Sequence, residues 1–428
     1  MTDLLRLKHL SFVGSYEEDG FLIVQVASPK PHVPFGCCMF FGKDRNGTKL
    51  VRFRDHAIQG QPVWLEVKRQ RYRCAQCGAT SYEDLPDIDT DRRLTKRFRL
   101  HLAKQAVEHS FSTAAKINGV HETLIRRVFE EYADRRLKGY QPLMPTVLGM
   151  DEIYLHGRAR FVIGDVANKA MLDMQPSRRD LDLRRYFAQQ IGREKVEVVC
   201  QDMWKGYHTL TKAMFPNAVT VIDKYHVQRT ANYGFEIVRK KLYQDISNKE
   251  RVALKRKRAV FLARWHDCKP ETRATLTKLF EQYPILSTAY DLKERFYDIY
   301  EAPNRAAGED AVSWWLASVP SDLERPFKVS IDAINNWRPH ILRYFEHRYT
   351  SGYIERLNGL IRKMNVQGAG YGYEVLRKKA LLKHGQIGEV ARDPVGSDHL
   401  GKTLYRTRRM LVGVPLSTLE ADLEAGTF

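Results

Sequence analysis

Four short apolar runs in the middle of the chain each meet an acid. "TVLGMDEIYL" holds Asp151 beside Glu152, "ARFVIGDV" reaches Asp165, "VEVVCQDMW" holds Asp202 and "AVTVIDKYH" reaches Asp223. One carboxylate at a strand end is ordinarily a loop residue or a helix cap. Several converging on one sheet edge repel one another and require a cation, and oxygen ligands of this kind suit Mg²⁺ or Mn²⁺. Two such ions activate an attacking oxygen and stabilise a leaving one at a phosphate. The expected chemistry is metal-dependent attack on a phosphodiester. Spacing alone leaves open which acids bind the metal. Alternation along "GMDE" puts Asp151 and Glu152 on opposite faces of the strand.

Charge indicates the substrate class. The 428 residues carry 70 Lys+Arg against 51 Asp+Glu, a net charge of +19 spread along the chain. That balance favours a polyanionic partner, most often nucleic acid. A hydrophobic content of 43% supports a sizeable core. No window approaches the roughly 20 apolar residues of a membrane span. The start, "MTDLLRLKHLSF", lacks a signal-peptide pattern, so a cytoplasmic setting with reduced cysteines is expected.

The N-terminal third supplies binding elements. Residues 1–90 read as β-rich, with "GFLIVQVAS" and "QPVWLEVKRQRYRC" as short alternating strands. In "RYRCAQCGATSYEDLP", Cys74 and Cys77 form a knuckle whose two thiolates can grip one Zn²⁺. Cys37 and Cys38 are the candidates for the second pair, with His32 as an alternative ligand, whereas Cys200 and Cys268 read as buried small residues. Residues 92–137 turn helical and basic. "HSFSTAAKINGVHETLIRRVFEEYADRRL" has a helix-turn-helix layout: Ser112 caps a short helix, Gly119 takes positive φ, and a second helix follows. Ala115, Val120, Ile125 and Val128 are spaced to pack its core, and Arg126 and Arg127 face DNA.

From Thr146 three strands follow one another. An amphipathic helix comes next, then two more strands with a helix between them. This is an α/β arrangement with a mixed sheet. Residues 225–345 lack strand signals and hold long charged helices, and "YTSGYIERLNGLIRKMN" is a further helix.

Three stretches in this order, "GMDEIYLHGRARFVIGDV", "VVCQDMWKGYHTLTKAMFPNAVTVIDKYHVQR" and "SGYIERLNGLIRKMNVQGAGYGYEVLR", together resemble the DDE transposases of bacterial insertion sequences. The match is best to the ISL-three family. The cysteine knuckle and the helix-turn-helix stretch resemble that family's N-terminal region, so the likeness runs from about residue 35 to 385. It implies a ribonuclease-H-like core with a mixed sheet over 146–224 and 346–388, and a tail over 389–428. The 153 residues from Asp202 to Glu355 exceed a bare core, so 225–345 resembles an all-helical insertion domain. Residues 1–90 then correspond to a zinc-ribbon-like module with one structural Zn²⁺, and 92–137 to the DNA-binding domain. The chain departs from the family where "CPxCG" is expected: it has "CCMFFG", with Phe41 at the second cysteine position.

The resemblance also implies roles. Asp151, Asp202 and Glu355 match the catalytic acids and hold two Mg²⁺ or Mn²⁺ ions about 3.5–4 Å apart. His226, in "DKYH", is an auxiliary residue that touches the scissile phosphate or positions a ligand; its plainer reading is a histidine capping a helix start. Trp204 stacks on an unpaired base near the cleavage point or packs in the core, and Arg356, Arg362 and Lys363 hold phosphates or form a solvated basic face. The implied activity is that of a transposase acting on double-stranded DNA. It binds terminal inverted repeats as a homodimer, cleaves the DNA ends and joins the 3′-OH to target DNA. The competing readings are a DNA-binding regulator derived from a transposase and a ribonuclease-H-like nuclease without strand transfer.

Overall fold

The computed structural model describes residues 7–28 and 43–385; Cys37, Cys38 and the 389–428 tail lie outside the described residues. The chain divides into one unit that reaches Arg136 and a second over Leu137–Gln386.

The first unit is built on a seven-stranded sheet: β1 (Ser11–Glu18), β2 (Phe21–Ala27), β3 (Lys43–Ile58), β4 (Gln61–Cys74), β5 (Thr80–Tyr82), β6 (Ile88–Asp89) and β7 (Leu94–Thr95). The expectation of short strands fails here. β3 and β4 are 16 and 14 residues long and pair as one antiparallel hairpin. Strict alternation explains it: Val63, Leu65 and Val67 are all buried on one face of β4.

Three helices follow, α1 (Lys96–Glu108), α2 (Phe111–Asn118) and α3 (Glu122–Leu137). Thr95 caps α1 by accepting from the Phe98 amide at 3.2 Å, and its hydroxyl donates to buried Asp55 at 2.6 Å. Ser110, rather than Ser112, caps α2, accepting from the Thr113 amide at 3.1 Å. The helix starts early because Phe111 must enter the core, where its ring lies 5.2 Å from that of Phe129. Gly119 has φ +59°, the left-handed conformation expected of this turn. Ala115, Ile125 and Val128 are buried as their spacing predicted, but Val120 is only half-buried.

The second unit holds a five-stranded sheet: β8 (Val147–Leu155), β9 (Arg158–Asp165), β10 (Ala170–Gln175), β11 (Val198–Gln201) and β12 (Val219–Ile222). The order is β10-β9-β8-β11-β12. β8, β9 and β10 are antiparallel, while β8, β11 and β12 are parallel, so the expected mixed α/β sheet is present. Helices α4 (Asp180–Ala188) and α5 (Lys205–Met214) cover one face. Phe161, Phe187, Tyr207 and Phe215 are buried beneath them, and each such side chain stabilises the fold by about 1.5–3 kcal/mol.

After β12 the described chain is helical: α6 (Lys224–Lys241), α7 (Asn248–Arg256), α8 (Arg258–Leu262), α9 (Pro270–Gln282), α10 (Pro284–Asp298), α11 (Arg305–Ala317), α12 (Ser321–Leu342) and α13 (Tyr344–His347). These helices share an aromatic core around Phe235, Tyr290, Trp315 and Phe327. Two last helices, α14 (Gly352–Gln367) and α15 (Tyr373–His384), return to the sheet. No described helix is long and apolar enough to cross a membrane.

Candidate active site

Strand register brings three of the acids together. Cys200 of β11 pairs with Gly149 of β8, and Gln201 pairs with Ile222 of β12. Asp151, Asp202 and Asp223 therefore continue one row across three adjacent parallel strands, which are about 4.8 Å apart. Asp165 does not join them. It ends a strand antiparallel to β8, opposite Leu148, and its carboxylate accepts from the Asn168 amide at 2.9 Å and side chain at 2.7 Å. Its role is to close a turn.

Glu355 arrives from α14, and two glycines set how closely. Gly149 and Gly164 face each other across β8 and β9. A Cβ on Gly149 would sit 2.5 Å from Ile354, and one on Gly164 would sit 2.6 Å from the same side chain. Ile354 thus seats directly on bare backbone and carries Glu355 over the row of acids. One turn further on, buried Asn358 donates from Nδ2 to Asp151 Oδ2 at 2.8 Å. The other Asp151 oxygen accepts from the Glu152 amide at 2.7 Å.

Asp223 and His226 complete the site. His226 Nδ1 donates to Asp223 Oδ2 at 3.0 Å, and its Nε2 lies 3.8 Å from Asp202 Oδ2. Asp223 Oδ1 accepts from the Ser351 amide at 3.2 Å, tying the start of α14 to the end of β12. Ligand atoms of Asp223, His226 and Glu355 all lie within 4.8 Å of one another. Burial, then the charges of Asp223 and Asp151, push Glu355 up to about 7, with His226 pulling the other way. Burial raises Asp151 as well, helped by Asp202 and Asp223. For Asp223 the hydrogen bonds from His226 and Ser351 outweigh burial and hold it below the usual carboxylate range. Burial lowers His226, but its bond to Asp223 and the surrounding carboxylates carry it above an ordinary imidazole. Buried carboxylates that repel one another, with every donor an oxygen except one imidazole, fit a hard divalent cation.

Residues 148–380, over half the chain, match the family model of the ISL3-type DDE transposase, described as "Transposase". Residues 83–133 match the helix-turn-helix domain of transposase family ISL3. The chain belongs to the ISL3 transposase family. A relative in Bordetella parapertussis, the transposase for insertion sequence element IS1001, is 23% identical over 336 residues, covering 76% of this chain and 82% of its own length. Membership supports DNA binding through the helix-turn-helix and implies use of a divalent metal ion.

Within the second unit of the transposase, Trp204 and Glu152 lie beside two of these acids in the chain. Trp204 is not a core residue: it is 44% exposed. It rests edge-on to Tyr207, with centroids 4.4 Å apart, and the Arg178 guanidinium lies 5.9 Å from its ring centre. Glu152, left without a task by the sequence, accepts from Arg178 at 2.8 Å and from the Tyr207 hydroxyl, so it holds this platform from the opposite face of β8. Arg356, Arg362 and Lys363 are exposed on α14, and Arg362 follows Glu355 by seven residues, on the same stripe. Arg126 and Arg127 are exposed on α3, Arg126 within 4.0 Å of Glu122. Cys74 and Cys77 flank a turn in which the Gly78 amide donates to the Cys74 carbonyl at 3.0 Å; Cys74 is buried and Cys77 exposed. Cys200 and Cys268 are buried as expected.

Sequence reading passed over Asn358, Ser351 and Gly164. A signal for Asn358 existed, since it follows Glu355 by three residues and shares its helix face. Ser351 acts through its backbone amide, which no side-chain pattern reveals.

The raised Glu355 has a measurable consequence. A metal ligand must be ionised, so the increase in melting temperature produced by Mn²⁺ should be small near pH 6 and grow as pH passes about 7. The metal-free chain behaves oppositely. The folded state keeps a proton that the unfolded glutamate releases near 4.5, so this group's contribution to stability falls as pH rises from about 4.5 through 7. A metal-induced shift that stays flat over that range counts against Glu355 as a ligand.

Proposed function

We propose that this transposase binds the terminal inverted repeats of an insertion sequence, cleaves the DNA ends and joins the freed 3′-OH to target DNA. The proposed core is ribonuclease-H-like, spans 146–224 and 346–388, and is interrupted by a helical insertion domain over 225–345. The observation that carries this reading is the row of Asp151, Asp202 and Asp223 across three parallel strands, with Glu355 laid over it by α14.

In this reading Asp151, Asp202 and Glu355 hold two Mg²⁺ or Mn²⁺ ions, which when bound would polarise the phosphate and the attacking oxygen. The chain's own groups prepare that centre. Asn358 fixes one Asp151 oxygen, leaving the carboxylate little rotational freedom. Asp223 keeps a proton on His226 Nδ1 and so turns Nε2 toward Asp202, where it can contact the scissile phosphate or position a ligand. Water is the attacking group in cleavage, and the new 3′-OH takes its place in joining, with no covalent enzyme intermediate. Arg356, Arg362 and Lys363 hold backbone phosphates, Arg126 and Arg127 engage the inverted repeat, and Trp204 offers its exposed ring to an unpaired base. A homodimer pairs the two ends. One structural Zn²⁺ is assigned to Cys74 and Cys77, with Cys37 and Cys38 as its further thiolates.

A joining assay with pre-cut transposon ends, a target plasmid and Mg²⁺ tests the proposal. Products covalently joined to the target are expected. Hydrolysis without joining would leave a nuclease, and binding without metal-dependent cleavage would leave a regulator.

A further inference from the structure

The β-rich unit carries a cation-lined cavity that the proposed catalytic site does not use. Its volume is about 160 Å³. Lys49, Arg69 and Arg93 line it beside Thr90 and Tyr82, and no acid does. The hairpin sets Lys49 directly opposite Arg69, where like charges repel. Arg69 cannot easily swing away. Its Nε donates to the Glu83 carbonyl at 3.0 Å, and its guanidinium lies 5.2 Å from the centre of the Tyr82 ring. Among the described residues, none of this unit's ion pairs includes any of the three cations.

Arg93 closes the turn into β7 at φ +53°, and its carbonyl accepts from the Arg54 amide at 2.9 Å, which fixes its backbone at the cavity's edge. Arg93 borders a second cavity too, lined by the acids Glu18 and Asp19; Glu18 pairs with Arg52. Three cations outside the unit's ion pairs and a threonine hydroxyl around one notch form the donor set of an oxyanion site. The ligand chemistry is a phosphate. Double-stranded DNA is the source the chain favours, because Thr90 and Arg93 lie in the segment that runs through β7 into α1 of the helix-turn-helix unit.

We propose that Lys49, Arg69 and Arg93 clamp a backbone phosphate of the DNA held by the helix-turn-helix, making the β-rich sheet a second, sequence-independent contact. This rests on the reading that the chain binds transposon-end DNA. The test measures binding of the full-length protein to a duplex carrying the terminal inverted repeat, over a series of salt concentrations. Lys49→Ala removes one member of a repelling pair. Arg93→Gly supplies a residue at ease with positive φ. Neither should lower the melting temperature. Each should weaken binding severalfold and reduce the slope of log affinity against log salt by about 0.9, and the double variant by about 1.8.

Wild-type affinity and slope in both variants would overturn the proposal. Arg127→Ala, measured alongside, separates the two failures. If it weakens binding while the cavity variants do not, DNA binding stands and the clamp falls. If the wild-type protein does not bind the duplex, both fall. A third arm uses inorganic phosphate alone: variants that lose a phosphate-induced thermal shift yet keep full DNA affinity would make the cavity a site for a free oxyanion, against the proposal.

Discussion

Asp151→Asn should abolish cleavage by this transposase, by about 10³-fold or more, while inverted-repeat binding should be retained. The amide keeps the size of the side chain but removes the negative charge that a divalent cation needs. In the structure Asp151 costs stability as an anion: burial and the nearby charges of Asp202 and Asp223 raise its pKa. Removing that charge should therefore leave the metal-free melting temperature unchanged or raise it. A carboxylate with a structural role would do the opposite, since its loss would leave the buried Asn358 donor at 2.8 Å without an anionic acceptor. Gel assays of end cleavage, with thermal melts of the same preparations, separate the two. Cleavage retained by the variant would remove Asp151 from the metal site.

Gly164→Ala should lower cleavage about 100-fold without touching any charged group. The added methyl would meet Ile354 Cδ1 at 2.6 Å, a contact that well-packed cores do not absorb without a shift costing about 1–3 kcal/mol. The element free to shift is α14, and with it Glu355. The check is a rescue. Ile354→Val deletes Cδ1, at a cost of about 0.5–1.5 kcal/mol alone. In the double variant the Cδ1 clash is gone, leaving the Ala170 carbonyl at 3.1 Å and Tyr353 Cε1 at 3.3 Å. Activity should return most of the way. If the double variant stays as inactive as Gly164→Ala, the fit of Ile354 on the sheet is not what places Glu355.

Much of this site is legible in the sequence. Short apolar runs ending in acids are a local pattern, and local patterns survive into the fold: β8, β11 and β12 form where their residues alternate or run apolar. Gly119 was legible for the same reason, because the need for positive φ is a property of one turn. The family likeness then separated Asp151, Asp202 and Glu355 from the other acids, which composition could not do. Ser110 and the long β3–β4 hairpin were missed because they depend on packing: Phe111 pulls the start of its helix into the core, and the buried face of β4 extends past any local stop signal.

The decisive case is Asp165. In the sequence it stands at the end of an apolar run, just as Asp202 and Asp223 do. The sequence by itself determined that these runs are strands and that acids follow them. Only the tertiary structure decided which acids meet, since alternation of side chains is the same whichever way a strand runs. β9 runs antiparallel to β8, so Asp165 lies at the opposite end of the sheet and closes a turn, while parallel β11 and β12 carry Asp202 and Asp223 to Asp151. Glu355, 204 residues beyond Asp151, joins them because two bare glycine backbones let Ile354 settle against the sheet.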